Sequence, residues 1–439
     1  MRKKLFFIIV LIVVAKSINA QFLMDMIDTS KTMGIRMFNM YSRFDNLFIG
    51  GYIQPQYQVA EVAGAASFNG GNFDSLSNNR FMIRRGRMRF DYQRKSKEDL
   101  PSVHIVFQFD FTDKGAFVRD FWGRIYDTRF NLLSVTAGIF ARPFGYEINL
   151  GSSDRESPER GRITQILMKS ERDLGLMLSF YPQLKSNKLY YLKFDLGVFN
   201  GQGLAALSKF PQVPTTEYDS RKDIIGHIAF KPYPLKKNVL LSGGASFLYG
   251  GLAGANKTIY VGDSDSTGNF IFRADSSINW TGKIRPRQYF GADMQLKFQH
   301  KWGATEFRAE YFTGIQTSTS KSTETPSTIS NTPLYSRNFN GGIFYFLQNI
   351  VNNKHQLGIK YDWYDPNTSV KGIEIRPNAG LSPADIKYNT LGFGYIWYFD
   401  PNIKLVLWYE MVNNELTDLD GFNKELRDNI FTIRLQFRI

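Results

Sequence analysis

The chain has 439 residues, no cysteine, 15% aromatic residues and a formal net charge of +14. The lack of cysteine excludes disulfides, thiolate metal sites and a lipid-anchored lipoprotein. A charge this positive usually indicates affinity for nucleic acid or anionic surfaces, but in a secreted chain small anions are the better candidate partner. We therefore expect no nucleic-acid partner.

The first twenty residues have the pattern of a signal peptide. Basic residues at positions 2–4 precede an apolar run over 5–15, which is too short to span a bilayer. Ala20 offers a small residue before a cleavage site. The alternative, a membrane anchor, is disfavoured by the length of the run. Residues 21–46 are rich in methionine and do not alternate, so they predict an N-terminal arm or a short helix.

From residue 47 to the end, apolar and polar residues alternate in segment after segment, which is the period of a β-strand. The last segment alternates up to Ile439, with Phe437 on one face and Arg434 and Arg438 on the other. Lipid outside and water inside explain such a pattern, so residues 47–439 predict an all-β, transmembrane barrel of about sixteen antiparallel strands. Their approximate spans are 47–60, 80–93, 102–112, 116–128, 132–142, 174–182, 189–199, 222–232, 238–250, 286–300, 303–315, 337–348, 355–365, 388–399, 403–412 and 429–439.

The connections between these segments alternate in length, as the long outer loops and short periplasmic turns of outer-membrane barrels do. We therefore predict a location in the outer membrane of a Gram-negative bacterium, with outer-membrane lipid around the barrel. Apart from the short one at 112–115, the odd-numbered connections are long: 61–79, 143–173, 200–221, 251–285, 316–336, 366–387 and 413–428. The even-numbered ones include short turns at 95–101, 187–189, 232–238, 299–302, 349–354 and 400–402.

The second predicted strand carries a row of arginines. Arg85, Arg87 and Arg89 share one face at steps of about 6.7 Å, whereas strict alternation would place Arg84 in lipid at a high cost. One extra residue near Arg84–Arg85, a β-bulge, would bring Arg84 into the inward set. A row of guanidinium groups offers several moderate anion sites, which is what conduction requires. The alternative is a row neutralised by acids across the lumen, with no selectivity.

The third long connection, 143–173, is predicted to fold inward and constrict the pore. It carries five basic and six acidic residues, which counts against a strongly anion-selective constriction, and we expect much of its acidic charge to serve structural pairing. The arginines predicted to line the pore or bind anions are Arg84, Arg85, Arg87, Arg89, Arg142, Arg155, Arg160, Arg162 and Arg172.

Motifs for catalysis and metal binding are weak or missing. No HExxH, GxSxG or Walker pattern occurs, and the four histidines are scattered. Residues 263–269 resemble the start of a calcium loop, but Ala274 stands where the closing glutamate belongs. We predict no enzyme, no cofactor and no metal.

Three parts of the sequence resemble the phosphate-selective porin (porin O/P) family, and their order and spacing match over about residues 47–182. They are 80–90 (RFMIRRGRMRF), 118–122 (VRDFW) with 138–147 (GIFARPFGYE), and 171–178 (ERDLGLML). The resemblance implies a sixteen-stranded, trimeric outer-membrane pore that carries anions past a lumenal arginine ladder and an inward-folded third loop.

Together these features predict passive diffusion of small anions, with phosphate as the hypothesised solute. Three alternatives stay open. They are a non-selective porin, a structural or adhesive barrel that binds an outside partner through loops 251–285 and 366–387, and a barrel hydrolase.

Overall fold

The computed structural model describes residues 46–96, 99–204 and 217–439. The predicted signal peptide and residues 21–45 of the predicted arm lie outside these ranges. No helix within them is long and apolar enough to cross a membrane. One short helix, α1 (Arg162–Leu167), and three 3-10 turns (Gly372–Glu374, Pro377–Ala379 and Pro383–Asp385) interrupt the strands of the described chain.

The remaining regular structure is β-strand. The strands are β1 (Leu47–Ala60), β2 (Asn79–Lys95), β3 (Pro101–Thr112), β4 (Gly115–Tyr126), β5 (Leu133–Ala141), β6 (Arg172–Phe180), β7 (Leu192–Phe199), β8 (Asp223–Lys236), β9 (Val239–Leu252), β10 (Ile259–Ser264), β11 (Phe270–Asp275), β12 (Arg285–His300), β13 (Gly303–Ser318), β14 (Leu334–Asn349), β15 (His355–Asp365), β16 (Tyr388–Asp400), β17 (Ile403–Asn414) and β18 (Ile430–Arg438).

Sixteen of these strands close into one antiparallel barrel, as the sequence predicts. Each strand from β1 to β9 pairs with the next, β9 pairs with β12, the series continues to β18, and β18 pairs with β1. The strands β10 and β11 form a separate hairpin between β9 and β12, and β10 touches β14 in parallel at Ile259 and Tyr260. The prediction that 251–285 is a connection without strands was wrong, because β10 and β11 within it pair with each other.

The connections keep the predicted alternation in length. Long segments join the strands at one end of the barrel, except for the two residues between β3 and β4. The connections at the other end have two to eleven residues, the longest being 181–191 between β6 and β7, where the predicted turn at 187–189 was too short. The turn predicted over 232–238 was too long, since β8 continues through Pro232 and Pro234 to Lys236. Its register with β9 shifts at both prolines, and such irregularities are where a strand tolerates proline.

The outward faces form an apolar belt. Leu174, Leu176 and Leu178 of β6 are 46–53% exposed, whereas Ser179 beside them is 3% exposed. In β18, Phe437 is 41% exposed and Gln436 only 4%. A closed barrel satisfies its own backbone without water, and an apolar exterior suits lipid. The protein is therefore a barrel of the Gram-negative outer membrane.

Two β-bulges turn pairs of adjacent charged residues toward the lumen. In β2, the partners of Gln54 and Pro55 are Arg85 and Ile83, which leaves Arg84 as the extra residue and confirms the predicted bulge. In β4, the register with β3 skips Arg119, so that Arg119 and Asp120 are both buried inside. The second bulge was not predicted, although the same signal, two adjacent charges in an alternating strand, is present.

Candidate functional site

Residues 142–171, hereafter the inner segment, connect β5 to β6 and lie inside the barrel. Gly145 donates its N–H to Ser246 Oγ at 2.8 Å, and Ser157 Oγ lies 2.8 Å from Tyr345 Oη. One apolar cluster packs the segment against the wall. Its members include Phe144, Ile148, Ile163, Ile166, Leu167 and Met168 of the segment, and Tyr289, Phe312, Phe339, Ile343, Leu347 and Tyr364 of the wall.

The turn at Gly145 fixes where the inner segment meets the wall. Gly145 has φ +63°, and a Cβ there would lie 1.8 Å from Glu310 Oε1, so the position requires glycine. The Glu310 carboxylate accepts the N–H groups of Tyr146 and Glu147 at 2.8 and 2.9 Å. Glu147 in turn accepts the N–H of Gly161 at 3.0 Å, and thereby satisfies a free donor at the start of α1.

Side chains of the wall hold the rest of the inner segment through its carbonyl oxygens. Lys404 Nζ donates to the carbonyls of Ser153 and Arg155 at 2.7 and 2.8 Å, and Arg434 Nη1 donates to that of Pro158 at 2.6 Å. Arg308 forms a two-pronged ion pair with Glu156 at 2.8 and 3.1 Å. Contacts with strands from β9 to β18 therefore attach the inner segment to the wall.

A cavity of about 420 Å³ lies between the inner segment and strands β2 to β4. Seven basic and five acidic side chains line it, which gives a net formal charge of +2. The basic ones are Arg84, Arg85, Arg87, Lys114, Arg119, Arg160 and Lys169, and the acidic ones are Asp110, Asp113, Glu159, Glu171 and Glu324.

Glu159 is held by three arginines at the side of this cavity. Arg84 Nε, Arg85 Nη2 and Arg434 Nη2 lie 2.8, 2.7 and 3.0 Å from its carboxylate oxygens. Hydrogen bonds between charged groups are about twice as strong as neutral ones. The bulge at Arg84 is what allows two consecutive residues of β2 to reach the same carboxylate.

Glu171 is also held by three arginines, on the other side of the cavity. Arg119 Nη2, Arg160 Nη1 and Arg172 Nη1 all contact its carboxylate. Ser170 and Glu171 both have φ +63°, a left-handed conformation that costs a residue with a side chain about 1–2 kcal/mol. The three ion pairs offset that cost and direct the carboxylate toward the arginines.

The predicted arginine ladder faces inward, and each of its members contacts a carboxylate. Arg84 and Arg85 share Glu159, Arg87 lies 3.2 Å from Asp110, and Arg89 lies 2.6 Å from Asp91. This is the arrangement of the alternative interpretation, in which acidic side chains neutralise the row of arginines. Pairing is incomplete across the site as a whole, since basic groups outnumber acidic ones around the cavity.

The other predicted arginines fall into two groups. Arg160 lines the cavity, and Arg172 contacts Glu171 and Asp120 directly behind it. The remaining three do not line the cavity: the buried Arg142 donates to the carbonyl of Lys169 at 3.0 Å, Arg155 is 2% exposed, and Arg162 stacks over Tyr388 and Phe68. No nitrogen of the Arg155 guanidinium has a hydrogen-bond partner among the described residues.

Sequence reasoning missed Arg119 and Asp110. Asp110 stands directly opposite Arg87 in the pairing of β2 with β3, and a register could have been inferred only from the turn predicted over 95–101. Arg119 reaches the cavity only because of the bulge in β4.

Outside the cavity, Asp428 precedes β18 in the last long connection and is 5% exposed. Burial raises its pKa to about 6, although the Arg162 guanidinium lowers it, and Glu425 and Glu61 add to the rise. The segment that resembles a calcium loop is a self-contained turn, in which Asp265 accepts the N–H groups of Thr267 and Asn269. No group of three His, Cys, Asp or Glu residues able to hold a metal occurs in the described ranges.

Solved structures of outer-membrane proteins share this fold. OprB of Pseudomonas putida has a TM-score of 0.56 at 8% identity, covering 91% of this chain and 96% of that one. The outer-membrane channel DcaP of Acinetobacter baumannii has a TM-score of 0.53 at 10% identity, covering 90% and 97%. A loop-deletion mutant of OmpT, an outer-membrane protein of Vibrio cholerae, has a TM-score of 0.50 at 9% identity, covering 90% and 99%. No family model and no curated protein matches the sequence.

Proposed function

We propose that the protein is a passive diffusion channel of the outer membrane that prefers small anions. The observation that carries this proposal is the excess of basic side chains, five arginines and two lysines against five carboxylates, around the cavity between the inner segment and β2 to β4. Fixed charge of one sign in a narrow, low-dielectric passage raises the local concentration of ions of the opposite sign. A net positive constriction therefore favours anions over cations.

Phosphate is the solute we propose to be preferred. Arg84, Arg85, Arg87 and Arg89 follow one strand from the cavity toward the end with short turns, and guanidinium groups match the oxygens of phosphate in geometry and charge. The resemblance of three segments to porin O/P proteins supports this choice, and it also motivates the proposal that the channel is a homotrimer.

The experiment is a comparison of reversal potentials in planar bilayers under a KCl gradient. The double variant Arg85→Ala, Arg87→Ala removes two charges from the cavity, whereas Lys297→Ala removes one from the β12 wall away from it. We expect the first to lose most of its anion preference and the second to keep it. Retention of the full preference in the double variant would reject a role for this strand, and a non-selective wild type would favour the general porin.

A further inference from the structure

The three nitrogens around Glu171 belong to arginines that come from different parts of the fold. Arg119 lies in β4, Arg160 in the inner segment and Arg172 at the start of β6. Each directs one Nη atom at the same carboxylate. Three charged donors that converge on a pair of oxygens form the arrangement that binds a small oxyanion.

Two of these arginines are held in place without help from Glu171. Arg160 donates to the carbonyls of Glu147, Ile148 and Leu150 at 2.9, 3.0 and 2.8 Å. Arg172 is paired with Asp120 through Nε and Nη2, at 3.1 and 3.3 Å. The donors would therefore stay convergent if the Glu171 carboxylate moved away.

Arg119 has bonding capacity to spare. Its Nε is buried and has no hydrogen-bond partner among the described residues. With the carboxylate withdrawn, the direct ion pair left to these three guanidinium groups would be that of Arg172 with Asp120, while Asp110 acts on Arg119 and Glu147 acts on Arg160 from a greater distance. Such a cluster is costly to leave uncompensated in a buried place.

Glu171 is also the most accessible member of the group toward the cavity. Its side chain is 15% exposed, against 13% for Arg172, 5% for Arg119 and 4% for Arg160. Of these four residues, all except Arg172 line the cavity. Its carboxylate can move away from the arginines by rotation of the side-chain torsions, which leaves the left-handed backbone of Ser170 and Glu171 unchanged.

We propose that Glu171 is a built-in counter-anion that occupies a three-arginine oxyanion site, and that a permeating oxyanion displaces it. This inference rests on the proposed anion channel. It adds that a carboxylate of the protein itself competes with the permeating anion for the three arginines. The competing carboxylate keeps the net affinity moderate, because the gain from binding the incoming anion is reduced by the loss of three ion pairs. Moderate affinity lets the anion leave, as conduction requires.

The test is block of chloride current by inorganic phosphate in planar bilayers at fixed KCl. Glu171→Gln keeps the size of the side chain and removes the competing charge. We expect its half-blocking phosphate concentration to fall at least about tenfold, which corresponds to about 1.4 kcal/mol. The matched control is Glu324→Gln, which removes a charge from the same cavity but from a carboxylate paired with Lys169. We expect a change below about threefold there, since no convergent site is freed.

The result that overturns the proposal is a Glu171→Gln channel of normal conductance whose half-blocking concentration equals that of the wild type. An equal fall in Glu324→Gln would also overturn it, because the effect would then come from general charge. Folding of Glu171→Gln is judged by its migration in unheated detergent gels. If this variant fails to fold, Glu171→Asp is tested in its place, because it shortens the side chain by one methylene and so withdraws the carboxylate from the arginines. An unchanged or higher half-blocking concentration in that variant rejects the proposal. A cation-selective wild type would instead reject the anion channel itself.

Discussion

One lysine makes two of the hydrogen bonds that attach the inner segment to the wall. Lys404 is 4% exposed, and its ammonium donates to the carbonyls of Ser153 and Arg155 at 2.7 and 2.8 Å. The substitution Lys404→Met keeps the length of the stem and removes both bonds. The Ser153 carbonyl still accepts from Gln436 Nε2 at 3.2 Å, so among the described residues only the Arg155 carbonyl is left without a partner. A buried carbonyl in that state costs about 1–3 kcal/mol, so attachment should weaken by at least that amount. Every 1.4 kcal/mol is tenfold in population, so the population of the detached state should rise at least about fivefold.

The chain has no cysteine, so one introduced thiol reports on detachment without background. Ser157 is 2% exposed and faces Tyr345, and a cysteine there reacts with a maleimide only when the segment leaves the wall. We expect labelling of Ser157→Cys to be at least about fivefold faster in the Lys404→Met background, together with more frequent closures in single-channel records.

The control is Lys193→Met, which removes a lumenal lysine that pairs with Asp195. Its labelling rate should match that of Ser157→Cys alone. The reasoning is refuted if Lys404→Met labels no faster than this control, because the two carbonyl bonds would then contribute nothing to the position of the segment.

Two further predictions concern the belt and the outer loops. The substitution Leu176→Arg places a charge in the apolar belt and should lower the free energy of unfolding by about 2–4 kcal/mol, measured by urea titration in lipid vesicles; an unchanged midpoint would contradict the outward orientation of β6. Asp428, with its pKa raised to about 6, binds its proton more tightly in the folded state, so its contribution to stability increases as the pH falls through 6 toward the ordinary aspartate value. Hydrogen exchange of residues 415–429, corrected for the intrinsic effect of pH, should therefore be slower at pH 5 than at pH 7.5. The substitution Asp428→Asn should remove this difference between the two pH values. If the difference persists in that variant, Asp428 is excluded as its cause.

The barrel could be predicted from the sequence because its two faces meet different solvents. Segments such as β18 repeat the contrast of apolar Phe437 with polar Gln436 at every second residue, and the length of the connections adds an independent signal. The hairpin of β10 and β11 was missed because it lies above the membrane, where no such contrast is imposed on the sequence. Its pairing depends on contacts among outer loops that alternation does not report.

The inner segment and the cavity beside it were predictable only in part. The charge conflict at Arg84–Arg85 revealed one bulge, because an arginine in lipid is costly enough to exclude strict alternation. The acidic partners of the arginines could not be predicted from the sequence. Glu159 and Glu171 belong to a segment whose path is set by long-range contacts such as that of Lys404 with Ser153. Adjacent charges at Arg119–Asp120 could have revealed the second bulge by the same argument.

The sign of the reversal potential of the wild-type channel tests the central claim most directly. Under a tenfold KCl gradient, an ideally selective channel gives about 59 mV, and a channel that passes chloride makes the dilute side negative. We predict a negative dilute side that shifts toward zero in the Arg85→Ala, Arg87→Ala variant. A positive dilute side in the wild type would contradict an anion channel built on the guanidinium groups of β2, β4 and the inner segment.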